Sequence, residues 1–135
     1  CIPAVLAWMN EQIPGGWATT MACNRALVLQ ARDLLCKTFG QTPSCPDEMI
    51  GAIAAMPLPS NFGGPNLSPL GVDALQDWLW ETHRIEVPII PWSTPTPKLI
   101  RISAQRYNSL EQYQYLAEAL CQWPKTKQEI PVKQG

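Results

Sequence analysis

Apolar positions along the chain change period several times, and each change marks an element. Ile2, Val5, Leu6 and Met9 fall at i, i+3, i+4 and i+7, one face of a short helix. Pro14-Gly15-Gly16 ends it. A longer helical pattern runs from Trp17 to Phe39, with Met21, Val28, Ala31 and Leu35 as its stripe and Arg25, Arg32 and Asp33 on other faces. Gly40 closes it, since a residue without Cβ enters the left-handed region freely. A loop rich in Pro, Ser and Thr spans 41–48, and the apolar run Met49–Leu58 reads as a buried strand. Residues 60–66, with Gly63-Gly64-Pro65, predict irregular structure.

The next helix is predicted to start at Ser68 as N-cap, with Pro69 at its first position and a hydrophobic staple from Leu67 to Val72. It runs to His83, with Val72, Leu75, Trp78 and Leu79 inward. Strands follow at Glu86–Trp92 and Lys98–Ala104, joined by the stiff Thr94-Pro95-Thr96-Pro97. A final helix begins at Asn108 or Ser109. Asn108 as cap would make Glu111 its third residue in a capping box. Leu110, Tyr113, Leu116, Ala117 and Leu120 form its stripe, and Pro124 stops it before a polar tail. The order α-α-β-α-β-β-α gives an α+β fold, a small antiparallel sheet covered on one face by helices. Residues 1–123 form the domain and 124–135 the tail.

Composition raises the question of the other face. The 135 residues suit one domain, and 46% hydrophobic content is ordinary for a globular chain. Charged residues make up 16%, against a usual ~25%, so part of the surface is expected to be covered. Exposed tryptophans, Trp78, Trp80 and Trp92 among them, are expected on that patch. A net charge of -1 gives no electrostatic case for nucleic acid or an anionic membrane. No apolar run reaches the ~20 residues of a membrane span. Five scattered cysteines without a C-x-x-C pair point to free thiols in a reducing cytoplasm and to no metal site. The chain opens at Cys1, without initiator methionine, signal segment or helix cap, from which we expect a processed or excised piece.

Catalytic constellations are missing. The single histidine, His83, falls at a helix C-terminus and reads as structural. No Gly-rich phosphate loop follows a strand, and Gly63-Gly64, in a loop before Pro65, makes a weak phosphate cradle. Lys98 opens a strand beside prolines, with nothing in the sequence to desolvate it for Schiff-base chemistry. Glu111 and Glu118 read as a cap and a solvated helix face. Arg101 stands apart. Strand alternation puts Ile100, Ile102 and Ala104 on one face and Leu99, Arg101 and Ser103 on the other. An arginine there either clamps a carboxylate through two parallel hydrogen bonds or pairs with a local acid as an edge-strand residue, and spacing alone favours the second.

The stretch from Leu99 to Glu111, with its R-x-S-x-x-x-Y-N pattern at Arg101, Ser103, Tyr107 and Asn108, resembles the C-terminal signature of class V aminotransferases, fold-type I pyridoxal-phosphate enzymes. Ile50–Pro59 resembles the first strand of their small domain, His83–Trp92 the following strand, and Gly16-Trp17 with Asn24 and Leu35 the preceding long helix. The likeness covers residues 1–123 and is nearest to the isopenicillin N epimerase-like branch. It implies the small domain of a homodimeric enzyme whose large domain, in the same chain, carries the Schiff-base lysine and most of the pyridoxal phosphate site. It makes Arg101 the clamp for the carboxylate of an amino-acid substrate. No pyridoxal phosphate is expected on this stretch alone, which is then inactive by itself. The alternative is a free-standing α+β binding or interaction module without catalysis.

Overall fold

The computed structural model describes residues 1–63, 65–92 and 98–126. Four helices, α1 (Ile2–Gln12), α2 (Gly16–Phe39), α3 (Ala74–His83) and α4 (Leu110–Thr126), accompany three strands, β1 (Ile53–Pro57), β2 (Ile89–Pro91) and β3 (Lys98–Ser103). The sheet is antiparallel in the order β1-β3-β2, so the last strand in sequence is the central one. The α+β class and the helix-covered sheet are as the sequence implies.

The core lies between the sheet and α2, α3 and α4. Val28, Ala31 and Leu35 of α2 meet Ala54 and Met56 of β1, Ile100 and Ile102 of β3, and Leu116 and Leu120 of α4. Each large aliphatic side chain so buried contributes about 1.5–3 kcal/mol. Helix α2, 24 residues and roughly 36 Å long, is the spine of this layer. Its stripe differs from the expected one. Met21 is exposed, whereas Thr20, Asn24 and Arg32 are buried. Arg32 is inward because it has partners: its Nη2 donates to Asp47 Oδ1 at 2.6 Å and to Asp33 Oδ1 at 2.9 Å. Those carboxylates hold its guanidinium firmly in the charged form. Arg25 adds bonds to the Asp47 and Ile50 carbonyls at 2.7 and 3.0 Å. The two arginines thus fold Asp47–Met49 into a 3-10 turn, and β1 starts at Ile53 instead of Met49.

Helix α1 is held by α2 through backbone-directed contacts. Trp17 Nε1 donates to the Leu6 carbonyl, and the Trp17 N–H to Asn10 Oδ1, both at 3.2 Å. Gly16, at φ +58, is required there, because a Cβ would overlap the Asn10 oxygen. None of α1 is buried. Ile2, Val5, Leu6 and Trp8 remain exposed.

Helix α3 begins five residues later than the spacing predicts. Gly71 sits at φ +77, which no α-helix accommodates, and its N–H bonds back to the Ser68 carbonyl while the Ser68 N–H reaches the Val72 carbonyl. Ser68-Pro69-Leu70-Gly71 is therefore a tight turn with a left-handed fourth residue, and Leu67 bridges Asp73 across it. The cap is Asp73, not Ser68, and the Leu67–Val72 staple does not form. At the other end Arg84, φ +57, closes α3 with its N–H on Trp80 O and the Ile85 N–H on Leu79 O.

Smaller corrections follow from local bonds. Ser60–Phe62 forms a 3-10 turn where irregular chain was expected. Strand β2 is only three residues, paired with Lys98 to Ile100 of β3. At the start of α4 Gln112 Oε1 accepts the Ser109 N–H, half of a capping box and one residue past the Asn108–Glu111 frame. Leu110 is half-buried, while Ala119 and Trp123 join the buried stripe. Pro124 does not stop α4, which runs to Thr126. Trp78 is in the core, leaving Trp8, Trp80 and Trp92 as exposed tryptophans. The 94–97 connection, Gly64 and the tail beyond Thr126 lie outside the described residues.

One further element of the core is ionic. Lys98 and Asp73 are both about 1% exposed, and Nζ lies 2.9 Å from Oδ1. The same carboxylate accepts the Leu75 N–H at 3.0 Å and the Asn66 N–H at 3.1 Å. Lys98→Met should therefore lower unfolding stability by about 3–5 kcal/mol, because it leaves a buried carboxylate without its counter-charge. Lys98→Met combined with Asp73→Asn, which keeps the cap acceptor, should recover most of that loss in urea unfolding. Equal stability for the single and double variants would show that the pair is not coupled.

Candidate functional site

A cleft of about 440 Å³ opens beside β3, between the end of α3 and the start of α4. Its floor is β3 from Arg101 to Ser103, one wall is the end of α3 with residues 84–88, and the other is the first two turns of α4. The left-handed turn at Arg84 builds the first wall. It sends the chain straight from α3 to the edge of β3, where the Pro88 carbonyl accepts the Arg101 N–H at 3.1 Å.

Alternation along β3 follows the expected parity. Ile100, Ile102 and Ala104 are buried, and Arg101 and Ser103 are exposed. Arg101 faces Ala55 across the β1 ladder, so its strand is fixed from both sides. Among the described residues it has no ion-pair partner, and its strand is the central one of the sheet. The guanidinium is left with its donors free at the floor of a cleft.

The Tyr107-Asn108 end of the pattern is fastened by side chains. Asn108 Oδ1 accepts the Gln105 N–H at 2.9 Å, and the Asn108 N–H returns to the Gln105 carbonyl at 2.8 Å. Gln105 Oε1 accepts both the Arg106 N–H and Asn24 Nδ2, each at 2.9 Å. Buried Asn24 on α2 thereby ties the loop to the spine. Tyr113 donates to the Ser103 carbonyl at 2.6 Å, and burial, with Tyr107 nearby, pushes its phenol up. Ser109 holds the Glu111 carboxyl below its usual range. Tyr107 itself is exposed at the cleft rim.

The remaining residues sort as follows. His83 ends α3 as expected, but it lies on the cleft wall, its Nδ1 3.1 Å from the Tyr115 hydroxyl. The sequence contains no signal for that contact, which spans 32 positions. Lys98 is desolvated, against expectation, yet its ammonium is committed to Asp73 and it has the opposite parity to Arg101 on β3. Glu118 is exposed, as expected of a solvated face. The five thiols are free, and burial pushes Cys36 up, partly offset by Arg32. Among the described residues no cluster suited to a metal occurs, and no helix is long and apolar enough to cross a membrane.

Comparison with known proteins narrows the meaning of this arrangement. The chain is similar to a plant desulfhydrase. It is 31% identical over 125 residues to a protein described as a probable L-cysteine desulfhydrase, chloroplastic, from Arabidopsis thaliana. The match takes in 88% of this chain and 26% of the relative, so the chain spans about a quarter of the protein it resembles. No protein-family model matches the chain.

Removal of the Asn24 tie should loosen the loop without touching the cleft floor. Asn24→Ala is expected to cost about 1–2 kcal/mol in urea unfolding, the value of a part-buried hydrogen bond and its orphaned partner. It should also speed amide exchange at Arg106, and unchanged exchange there would remove Asn24 from the loop's support.

Proposed function

We propose that this chain is the C-terminal small domain of a pyridoxal-phosphate-dependent enzyme of the class V aminotransferase type, and that Arg101 binds the α-carboxylate of its amino-acid substrate. The observation that carries this is the free guanidinium of Arg101 on the central strand, at the floor of the cleft. A guanidinium matches a carboxylate's planar pair of oxygens and stays charged at any working pH. The similarity to the desulfhydrase supports the pyridoxal-phosphate reading and makes a small amino acid such as cysteine a fitting substrate. It does not extend to the epimerase-like branch.

The described residues do not themselves fit the cofactor. Its aldehyde needs an unprotonated lysine within reach. Lys98 is paired and turned away from the cleft, Lys37 lies at the far end of α2, and the cleft lining contains no lysine. We therefore assign the cofactor to the rest of the enzyme, and to this domain only the positioning of the substrate. The exposed apolar face of α1 and the bare sheet face are the surfaces that the large domain covers in this reading, in agreement with the low charge content.

In the complete enzyme, Arg101→Lys should reduce kcat/KM for amino acids by on the order of 1–3 kcal/mol, the worth of a charge-assisted hydrogen bond. Cofactor absorbance should be unchanged, and an amine without the carboxylate should be processed as before. Equal loss for both substrates, or loss for neither, would make Arg101 a structural residue. The present chain, mixed with pyridoxal phosphate and reduced with borohydride, should yield no stoichiometric lysine adduct by mass spectrometry. An adduct at Lys98 would overturn the division of labour between the two parts.

A further inference from the structure

The edge of β3 that faces the cleft is incompletely paired. At the two ends of the β1–β3 ladder, the Ala104 N–H donates to the Ala52 carbonyl at 2.8 Å and the Leu58 N–H to the Lys98 carbonyl at 3.0 Å. The even-numbered residues of β3 therefore aim their main chain at β1, and the odd-numbered ones aim away from it. On that other side the Arg101 N–H reaches the Pro88 carbonyl, the last bond to the chain that leads into β2. A further rung would join the Arg101 carbonyl to an N–H at residue 88 and the Ser103 N–H to the Glu86 carbonyl. Pro88 has no N–H. No bond joins Ser103 to Glu86, and the cleft opens between β3 and residues 84–88. The Ser103 carbonyl is taken by the Tyr113 hydroxyl at 2.6 Å. Its N–H has no acceptor among the described residues.

Elsewhere outward main-chain groups of the sheet are covered. The Ile89 N–H donates to Gln76 Oε1 at 2.9 Å, and the Ala55 carbonyl accepts the Ser44 hydroxyl at 3.4 Å. Such guards keep edge groups from pairing with other chains. The Ser103 N–H is left open, in the same cleft as Arg101. The two residues are two apart on one strand, about 6.6 Å between Cα atoms, which is within the reach of an arginine side chain. We infer that the Ser103 main-chain N–H is a second donor to the carboxylate that Arg101 binds. The inference rests on the carboxylate reading of Arg101 and adds a contact to it. The guanidinium brings the charge, and the N–H brings the direction. Pairing with β1 already holds that N–H in place, so little ordering is needed when a ligand arrives. An ionised acceptor makes the bond a strong one. The adjoining Arg101 carbonyl, an acceptor itself, keeps the anion at the Ser103 end.

Proton–nitrogen NMR of the labelled chain tests this with propionate at constant ionic strength. In the free chain the Ser103 amide should exchange with solvent faster than those of Ile100 and Ile102, which face β1. Propionate should slow that exchange. It should also move the Ser103 amide and the Arg101 Nε–H signal with one midpoint, and the two isoleucine amides far less. Ser103→Ala removes the hydroxyl and keeps the N–H, so its affinity for propionate should stay within about twofold of the parent's. Ser103→Pro removes the N–H where no protein bond is lost, and should weaken propionate binding by about tenfold, the loss of one hydrogen bond. Should Ser103→Pro not fold, the Ser103 amide of the parent chain decides alone. An Arg101 signal that moves while the Ser103 amide stays still overturns the inference and leaves the carboxylate reading in place. A Ser103 amide protected in the free chain, or unchanged affinity in a folded Ser103→Pro, overturns it too. Loss of binding in Ser103→Ala does the same by giving the contact to the hydroxyl. If propionate moves neither signal, the carboxylate reading itself fails.

Discussion

The carboxylate of Asp73 is where three stretches of chain meet inside the protein. It caps α3 through the Leu75 N–H, holds the incoming turn through the Asn66 N–H, and takes the ammonium of Lys98 at the head of β3. Each contact alone is ordinary. Together they satisfy a charge that would cost several kcal/mol to bury unpaired. The arrangement fixes where α3 starts, and Lys98 in turn fixes where β3 starts, since its carbonyl accepts the Leu58 N–H at 3.0 Å. With both origins set, the left-handed end of α3 at Arg84 delivers β2 to the open edge of β3. The cleft is the space left between these constrained parts.

Much of this was legible by period alone. The alternation Ile100, Arg101, Ile102, Ser103 told which face of β3 is buried, because a strand with one covered face cannot slip by one residue without exposing its core. The same rule, extended two residues back, puts Lys98 on the buried parity. Its charge and its proline neighbours point instead to an exposed lysine. What decides its burial is a partner 25 positions away, which no local window contains. Arg32 misleads for the same reason: its helix position is inward, and only Asp47, in a loop 15 residues on, makes that tolerable.

The late start of α3 has a different origin. Ser68-Pro69 is a fair helix opening by composition, but Gly71 three positions on prefers a positive φ, and a turn uses that where a helix cannot. The true cap, Asp73, was equally visible as an aspartate before an apolar run. Two start signals competed, and the buried ion pair decided between them. The candidate site divides along the same line. Arg101 is found from alternation and from its R-x-S-x-x-x-Y-N setting, both local. His83 with Tyr115 is found only when α3 and α4 are brought side by side.

The position of Arg101 on the central strand of the sheet bears on what it can do. A binding residue is effective in proportion to how little it must be ordered when the ligand arrives. Strand β3 is hydrogen-bonded to β1 on one side and to β2 on the other, is backed by a core of isoleucines, and is anchored at its first residue by an ion pair. Its backbone therefore has one conformation to offer, and the freedom that remains is in the guanidinium's own side chain. A loop could present the same charge but would have to be stilled at each encounter. Helices that pack on only one face of the sheet leave such a residue both rigidly mounted and open to solvent. That combination suits a domain whose part is to hold one end of a substrate still while another part of the enzyme acts on it.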